Sequence, residues 1–307
     1  MAATGPHYYG DDDGPIGNTG DGGGSSCTAA ALTVTAITPA IQLMIDGSGS
    51  MGDNFGNTIK YNAVASALVD STNGLVTKLQ AKAAFGAVIY TSEQCPKLYS
   101  SPCTLDNVAG VNTAITNGGN ANHAYNPAVE AIHAVVGTLG AATAKRKTIV
   151  LVTDGVPNQC NSNTGDRTDE AVTEVTTGYG QGISFYIIGL GNVGSTTYLQ
   201  KMANAGVGST TNATYWDANS PADVTTAYQT IFDKVLDCEL SLDGTIDVAQ
   251  ASTGTVKSNG TMLAYMTDWV AVDAHTIQLV GAACTSYKAA VTAPEITATF
   301  ACGATHP

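Results

Sequence analysis

Apolar and polar positions along this chain follow one period up to about residue 236 and another beyond it. In the first part, short apolar runs alternate with stretches whose apolar residues recur every three or four positions. The runs at 41–45, 84–90, 148–153, 183–188 and 213–216 predict five strands. All but the last are nearly continuous in apolar residues, as expected of parallel strands covered on both faces. Between them, Ile59, Ala63, Val64, Ala67 and Leu68 share one helical face. In "NPAVEAIHAVVG", Asn126 is placed to cap a helix, Pro127 suits its first position, and Val129, Ile132 and Val136 form its stripe. A third helix is expected over 168–175. The last is expected in "SPADVTTAYQTIFDKVL", with Ser220 as cap, Asp223 answering it, and Val224, Tyr228, Ile231 and Val235 facing inward. Strands alternating with helices predict an α/β fold, a doubly wound, mostly parallel sheet.

After Cys238 the period falls to two. In "EITATFAC", Ile296, Ala298, Phe300 and Cys302 share a face; "HTIQLVG" and "TMLAYMTDWV" also read as strands, and only "TSYKAAV" offers a short helix. This predicts a small β-rich appendage over 238–307, held by cysteines more than by a large core. At the other end, "DDDGPIGNTGDGGGSSC" is rich in turn formers and has almost nothing to bury, so residues 1–37 read as a leader or linker. Its Asp11, Asp12, Asp13 and Asp21 do not follow a calcium-loop order, because Pro15 stands where a ligand is due. The expected division is 1–37, 38–237 and 238–307.

Composition narrows the setting. Charged residues are 12% of the 307, against about 25% in a typical globular protein. A net charge of −13 opposes nucleic acid as a partner and is compatible with cations. No apolar run approaches the roughly 18 residues of a membrane span, and "MAATGPHYYGDDDG" lacks the features of a signal peptide. The seven cysteines form no CxxC pair and read as disulfides of an oxidising compartment, with one thiol left free or shared between chains. A secreted or surface-displayed protein, its export signal removed, is the expectation.

The chemistry sits in "IQLMIDGSGSMGD". Asp46, Ser48 and Ser50 follow the first strand, spaced by single glycines, and Asp154 in "IVLVTDGVPN" follows the third. In doubly wound sheets ligands bind beyond the carboxyl ends of the strands. If the two strands are neighbours, two carboxylates and two hydroxyls converge, an oxygen set suited to a hard divalent cation.

D-x-S-x-S after a first strand, with T-D-G after a later one, resembles the metal-ion-dependent adhesion site of von Willebrand factor type A domains. The resemblance extends over 41–236 and includes the "IIGLG" strand end. It implies that Asp46, Ser48 and Ser50 hold a divalent cation (Mg²⁺, Mn²⁺ or Ca²⁺), that Asp154 acts through water, and that one open position takes a carboxylate of a protein or surface ligand. The family's threonine is missing: the matching segment "GGNANHAYNPAV" puts His123 there, beside Asn122. An imidazole ligand favours zinc, manganese or nickel; alternatively His123 caps the loop and the metal keeps another water. A scaffold without metal is a further alternative, at the cost of two carboxylates repelling in one crevice. For the cysteines, Cys95 with Cys103 and Cys284 with Cys302 are the expected pairs. The resemblance brings the domain's ends together, so that Cys27 can reach Cys238, and Cys160 stays near the crevice; other connectivities remain open. The tail, with Cys238, "DWVAVDAHTIQLVGAAC" and "FACG", resembles the C-terminal module of exported proteins of this family from myxobacteria-like bacteria.

Two other motifs point elsewhere. "GLGNVG" matches the dinucleotide fingerprint but follows the fourth strand and has no acidic residue about 20 positions on. "DGSGS" is not G-x-S-x-G, and no base is evident for Ser48, so an enzyme is not expected. The expected function is adhesion through the metal site. The alternative is a structural subunit that polymerises into an extracellular fibre through its leader and C-terminal module, with copies of itself as partner.

Overall fold

The structure, a computed structural model, describes residues 29–119, 124–162, 165–191, 193, 196–290, 292–301 and 304–306. In chain order come β1 (Ala30–Leu32), β2 (Val34–Ala36), β3 (Ala40–Asp46), α1 (Lys60–Val69), α2 (Leu75–Leu79), β4 (Ala84–Thr91), β5 (Lys97–Thr104), α3 (Val108–Gly118) and α4 (Ala128–Gly140). There follow β6 (Lys147–Thr153), α5 (Thr168–Gly180), β7 (Ile183–Leu190), α6 (Thr196–Gly206), β8 (Trp216–Ala218) and α7 (Pro221–Val235). The last part holds β9 (Glu239–Leu242), β10 (Thr255–Ser258), β11 (Thr261–Leu263), β12 (Trp269–Asp273), β13 (Thr276–Leu279), α8 (Gly281–Ala289) and β14 (Ile296–Phe300). Among the described residues no helix is long and apolar enough to cross a membrane.

The central sheet has the order β8-β7-β6-β3-β4-β5. All neighbours are parallel except β5, which runs antiparallel to β4 at the edge. Alternation along β3 sends its residues to two cores. Ile41, Leu43 and Ile45 meet α1 and α7 on one face, while Ala40 and Met44 meet α4 and α5 on the other. All seven residues of β3 are buried. The α7 cap forms as its sequence predicts: Asp223 N–H donates to Ser220 Oγ at 3.2 Å, and Asp223 Oδ2 accepts from Asn219 N–H.

The sequence pattern did not reveal β5 and α3, and it placed the last parallel strand early: that strand lies at Trp216–Ala218. The segment "KLYSSPCT" is polar and carries a proline, features tolerated at a sheet edge and rare inside a sheet. The end of the expected leader also differs from a linker. β1 pairs antiparallel with β14, and β2 with β9, so residues 30–36 lend one edge strand to each of two further sheets. Those sheets, β1-β14-β10-β11 and β12-β13-β9-β2, share one core in which Trp269 packs edge-on against Phe300. Arg146 pairs with Asp237 and Glu239, and Lys288 Nζ donates to Asp233 O, tying this β module to the sheet domain.

The disulfides correct the expected pairing. Cys95 joins Cys160, and Cys238 joins Cys284. Cys95 and Cys103 stand near opposite ends of β5, roughly 20 Å apart at about 3.3 Å per residue, far beyond disulfide reach. Cys284 lies on α8 rather than on a strand, and the turn from β13 into that helix carries it to Cys238. Cys238 and Cys284 are therefore unavailable to Cys27 and Cys302, which lie outside the described residues. Cys103 is a free thiol that donates to Gln42 Oε1 at 3.3 Å; burial pushes its pKa up to about 12, so it stays protonated and unreactive.

Candidate metal site

The site begins where β3 ends. Strands β3 and β6 are parallel neighbours, with Ile45 beside Val152, so Asp46 and Asp154 leave the same edge of the sheet. Gly47 makes the turn possible: its N–H donates to Tyr90 O at 3.0 Å, and a Cβ there would sit 2.8 Å from the Thr91 methyl. A single 3-10 turn over Gly49–Gly52 then folds the chain back, anchored by the fully buried Met51. In this turn Ser48 is buried and Ser50 is exposed, with their hydroxyls 3.3 Å apart.

Each acid is held by its own set of donors. Asp46 is fully buried; its Oδ1 accepts from Ser48 N–H at 2.8 Å, and its Oδ2 from Thr153 Oγ1 and Asn126 Nδ2, both at 2.7 Å. Burial first, then the charge of Asp154, raises its pKa to about 6, against the pull of the Thr153 and Ser48 hydrogen bonds. Asp154 Oδ1 accepts from Ser50 Oγ at 2.8 Å, and Oδ2 lies 2.7 Å from Lys60 Nζ.

All four residues expected from the motifs thus meet in one place, while His123 lies outside the described residues. Three participants were not foreseen. Asn126 does not cap α4; it is buried and turned onto Asp46, while its own N–H donates to Asn158 Oδ1. Thr153 directly precedes Asp154, and its position in "TDG" was the available signal. Lys60 gave no signal, being 94 residues from its partner. His133, on α4, is exposed and bonds Glu174.

Do these side chains suit a divalent ion? Asp46, Ser48, Ser50 and Asp154 offer only oxygen, the donor that hard cations take, with room for water to complete the shell. The crevice above them, about 340 Å³, is lined by Ser48, Ser50, Tyr125, Asn126, Val156 and Asn158. Asn126 Oδ1 is buried and has no hydrogen-bond partner among the described residues, leaving an acceptor for a metal-bound water. Among the described residues no three His, Cys, Asp or Glu side chains are grouped so as to hold a metal ion, and the donor set here is charge-poor: two carboxylates and two hydroxyls. It fits a hard cation.

A profile of the von Willebrand factor type A domain matches residues 41–227. The chain belongs to that family. Among solved structures, the von Willebrand fold here is similar to the PilB minor pilin from Streptococcus sanguinis, at 17% identity and a TM-score of 0.53, over 66% of this chain and 62% of that one. It is similar to the pilus adhesin SpaC from Lactobacillus rhamnosus GG, at 15% identity and 0.53, over 87% of this chain and 40% of that one. The vWF domain of the type V pili tip protein Mfa5 from Porphyromonas gingivalis matches at 13% identity and 0.51, over 66% and 96%. The chain spans less than two thirds of the length of the minor pilin and of the adhesin. At these identities the likeness is one of fold. Comparison with curated proteins gives no match.

Proposed function

We propose that this is an extracellular, surface-displayed adhesion protein whose von Willebrand domain holds a divalent cation and, through it, a carboxylate of its partner. The observation that carries the reading is the meeting of Asp46, Ser48 and Ser50 with Asp154 at the floor of an open crevice, on the sheet edge where this fold leaves its strand ends. Two disulfides support an oxidising location. The fold's likeness to pilins and pilus adhesins agrees with surface display. Binding rather than catalysis is the reading, because His133 and His275 are engaged by Glu174 and Gly244 O, on a helix surface and in the β module.

The test is calorimetric titration with Mg²⁺, Mn²⁺, Ca²⁺ and Zn²⁺. One ion should bind per chain, and Asp46→Ala should abolish the heat. A protein that gives no heat and no shift in melting temperature with any of the four does not use the crevice for metal. A preference for Zn²⁺ that disappears in His123→Ala would bring an imidazole into the donor set.

The second reading, a subunit that polymerises into a surface fibre through its leader arm and C-terminal module, draws on the fold's likeness to a minor pilin; β1 and β2 themselves pair within the chain. Light scattering separates the two. A monomer with and without EDTA supports adhesion to a foreign ligand. Assemblies that dissolve in EDTA and in Asp46→Ala mean that the metal site holds copies together, and assemblies indifferent to both point to the arm and module.

A further inference from the structure

Lys60 is a cation placed where helices disfavour one. It is the first residue of α1, whose first turn holds no acidic residue. The amino end of a helix carries partial positive charge, so an ammonium there is unfavourable on local grounds. A local rule broken in this way marks a residue kept for a longer-range reason.

That reason is Asp154. Lys60 Nζ lies 2.7 Å from Asp154 Oδ2, with the lysine side chain 13% exposed and the aspartate side chain fully covered. Asp53, at 3.7 Å, is largely exposed and contributes less. The position of Lys60 is built in. A small hairpin over Asn54–Phe55 and Thr58–Ile59 returns the chain so that Lys60 N–H donates to Asp53 O at 3.1 Å. Gly191, which directly follows β7, lies against its stem: at φ +69° it would carry a Cβ 3.5 Å from Lys60 Cε, and its N–H donates to Ala218 O. Gly191 of the dinucleotide-like motif therefore sits against this lysine.

Charge balance in the crevice then governs how a cation is held. With both acids ionised, two carboxylates and one ammonium leave one negative charge there. A divalent cation converts this to one positive charge, which a ligand's carboxylate would cancel. Both oxygens of Asp154 already accept a hydrogen bond, one from Ser50 and one from Lys60. We propose that Lys60 is a resident cation of the crevice: it neutralises Asp154 so that the domain folds without metal, weakens the hold on a divalent ion, and makes that hold depend on an acidic ligand. This role rests on the crevice being a metal site.

The experiment is Mn²⁺ titration of the full chain as wild type, Lys60→Gln, Lys60→Arg and Asp46→Ala, in sodium chloride and in sodium acetate at equal ionic strength. Gln removes the charge and keeps an amide donor on a side chain one atom shorter than lysine's. Lys60→Gln should bind Mn²⁺ about tenfold more tightly in chloride, since the ammonium paired with Asp154 has gone. Lys60→Arg should match the wild type, and acetate should tighten the wild type more than Lys60→Gln. In EDTA, Lys60→Gln should melt lower than the wild type and gain more from Mn²⁺. Equal affinities and equal melting for wild type and Lys60→Gln, with Asp46→Ala still abolishing binding, overturn the role of Lys60 and leave the metal reading in place. No binding by any of the four overturns both.

Discussion

Strand β3 buries all seven of its residues between two helical layers, whereas no strand of the β module exceeds five residues, and β12 buries only Trp269. Of the six exposed large apolar residues among those described, Val248, Met262, Met266 and Val272 belong to the module. Two cores on either side of one sheet leave the sheet domain little need of cross-links in its interior. Its disulfide, Cys95–Cys160, joins the loop between β4 and β5 to the loop after β6. The module's disulfide, Cys238–Cys284, lies instead in its core. The difference teaches where each part gets its stability: burial in one, a covalent tie in the other.

The largest effect should come from breaking that tie. The bond between Cys238 and Cys284 closes a segment with a sequence separation of 46, worth about 4 kcal/mol by loop-closure entropy. In Cys238→Ala/Cys284→Ala, calorimetry should show the module melting separately and early, with the sheet domain's transition little changed. A single transition lowered as a whole would mean that the Arg146 and Lys288 contacts fuse the two parts into one cooperative unit, and the contrast between them would fail.

The same contrast explains what was legible in the sequence. β3, β4, β6 and β7 are buried on both faces and spell themselves out as apolar runs; Asp46, Ser48, Ser50 and Asp154 stand at their ends, with spacing that a backbone turn fixes. The rest depends on contacts distant in sequence. β5 lies at an edge and needs few apolar residues. β1 and β2, in "AALTVTA", become strands only against β14 and β9. Asn126, before a proline, has the look of a cap, and only the fold shows that its amide is needed by a buried carboxylate. Cysteine pairing followed the helix α8 and the length of β5, neither of which the spacing of cysteines records.

An intermediate effect should come from the donors behind Asp46. Asn126→Ala removes one of three hydrogen bonds to a fully buried carboxylate, a charge-assisted contact worth about 2 kcal/mol. Denaturant melts should show the loss in the sheet domain alone, together with weaker Mn²⁺ binding. Asn126→Asp should be worse than Asn126→Ala, because it sets a third carboxylate beside Asp46. If Asn126→Ala loses stability without losing Mn²⁺ affinity, Asn126 is a scaffold residue and the crevice is less of a unit than the sheet beneath it.

The smallest effect is a pH dependence that belongs to the sheet domain only. In the metal-free protein, burial and Asp154 raise Asp46 to about 6, above its ordinary 3.8. A folded-state pKa raised in this way favours folding where the acid is protonated, below about 4, and that contribution is lost as pH rises through 6. The metal-free sheet domain should therefore lose stability between pH 5 and pH 7.5, while the ion, which needs the ionised carboxylate, gains affinity over the same range. At pH 7.5 and ten times its dissociation constant, the ion adds about 1.4 kcal/mol. At pH 5 only about a tenth of Asp46 is ionised, affinity falls about tenfold, and the same concentration adds about 0.4 kcal/mol. Melting scans at the two pH values, with EDTA and with Mn²⁺, should thus differ by about 1 kcal/mol in the metal increment of the sheet domain and not in the module. An increment equal at both pH values would mean that the ion binds without displacing a proton from Asp46, and would move the site's centre toward Asp154.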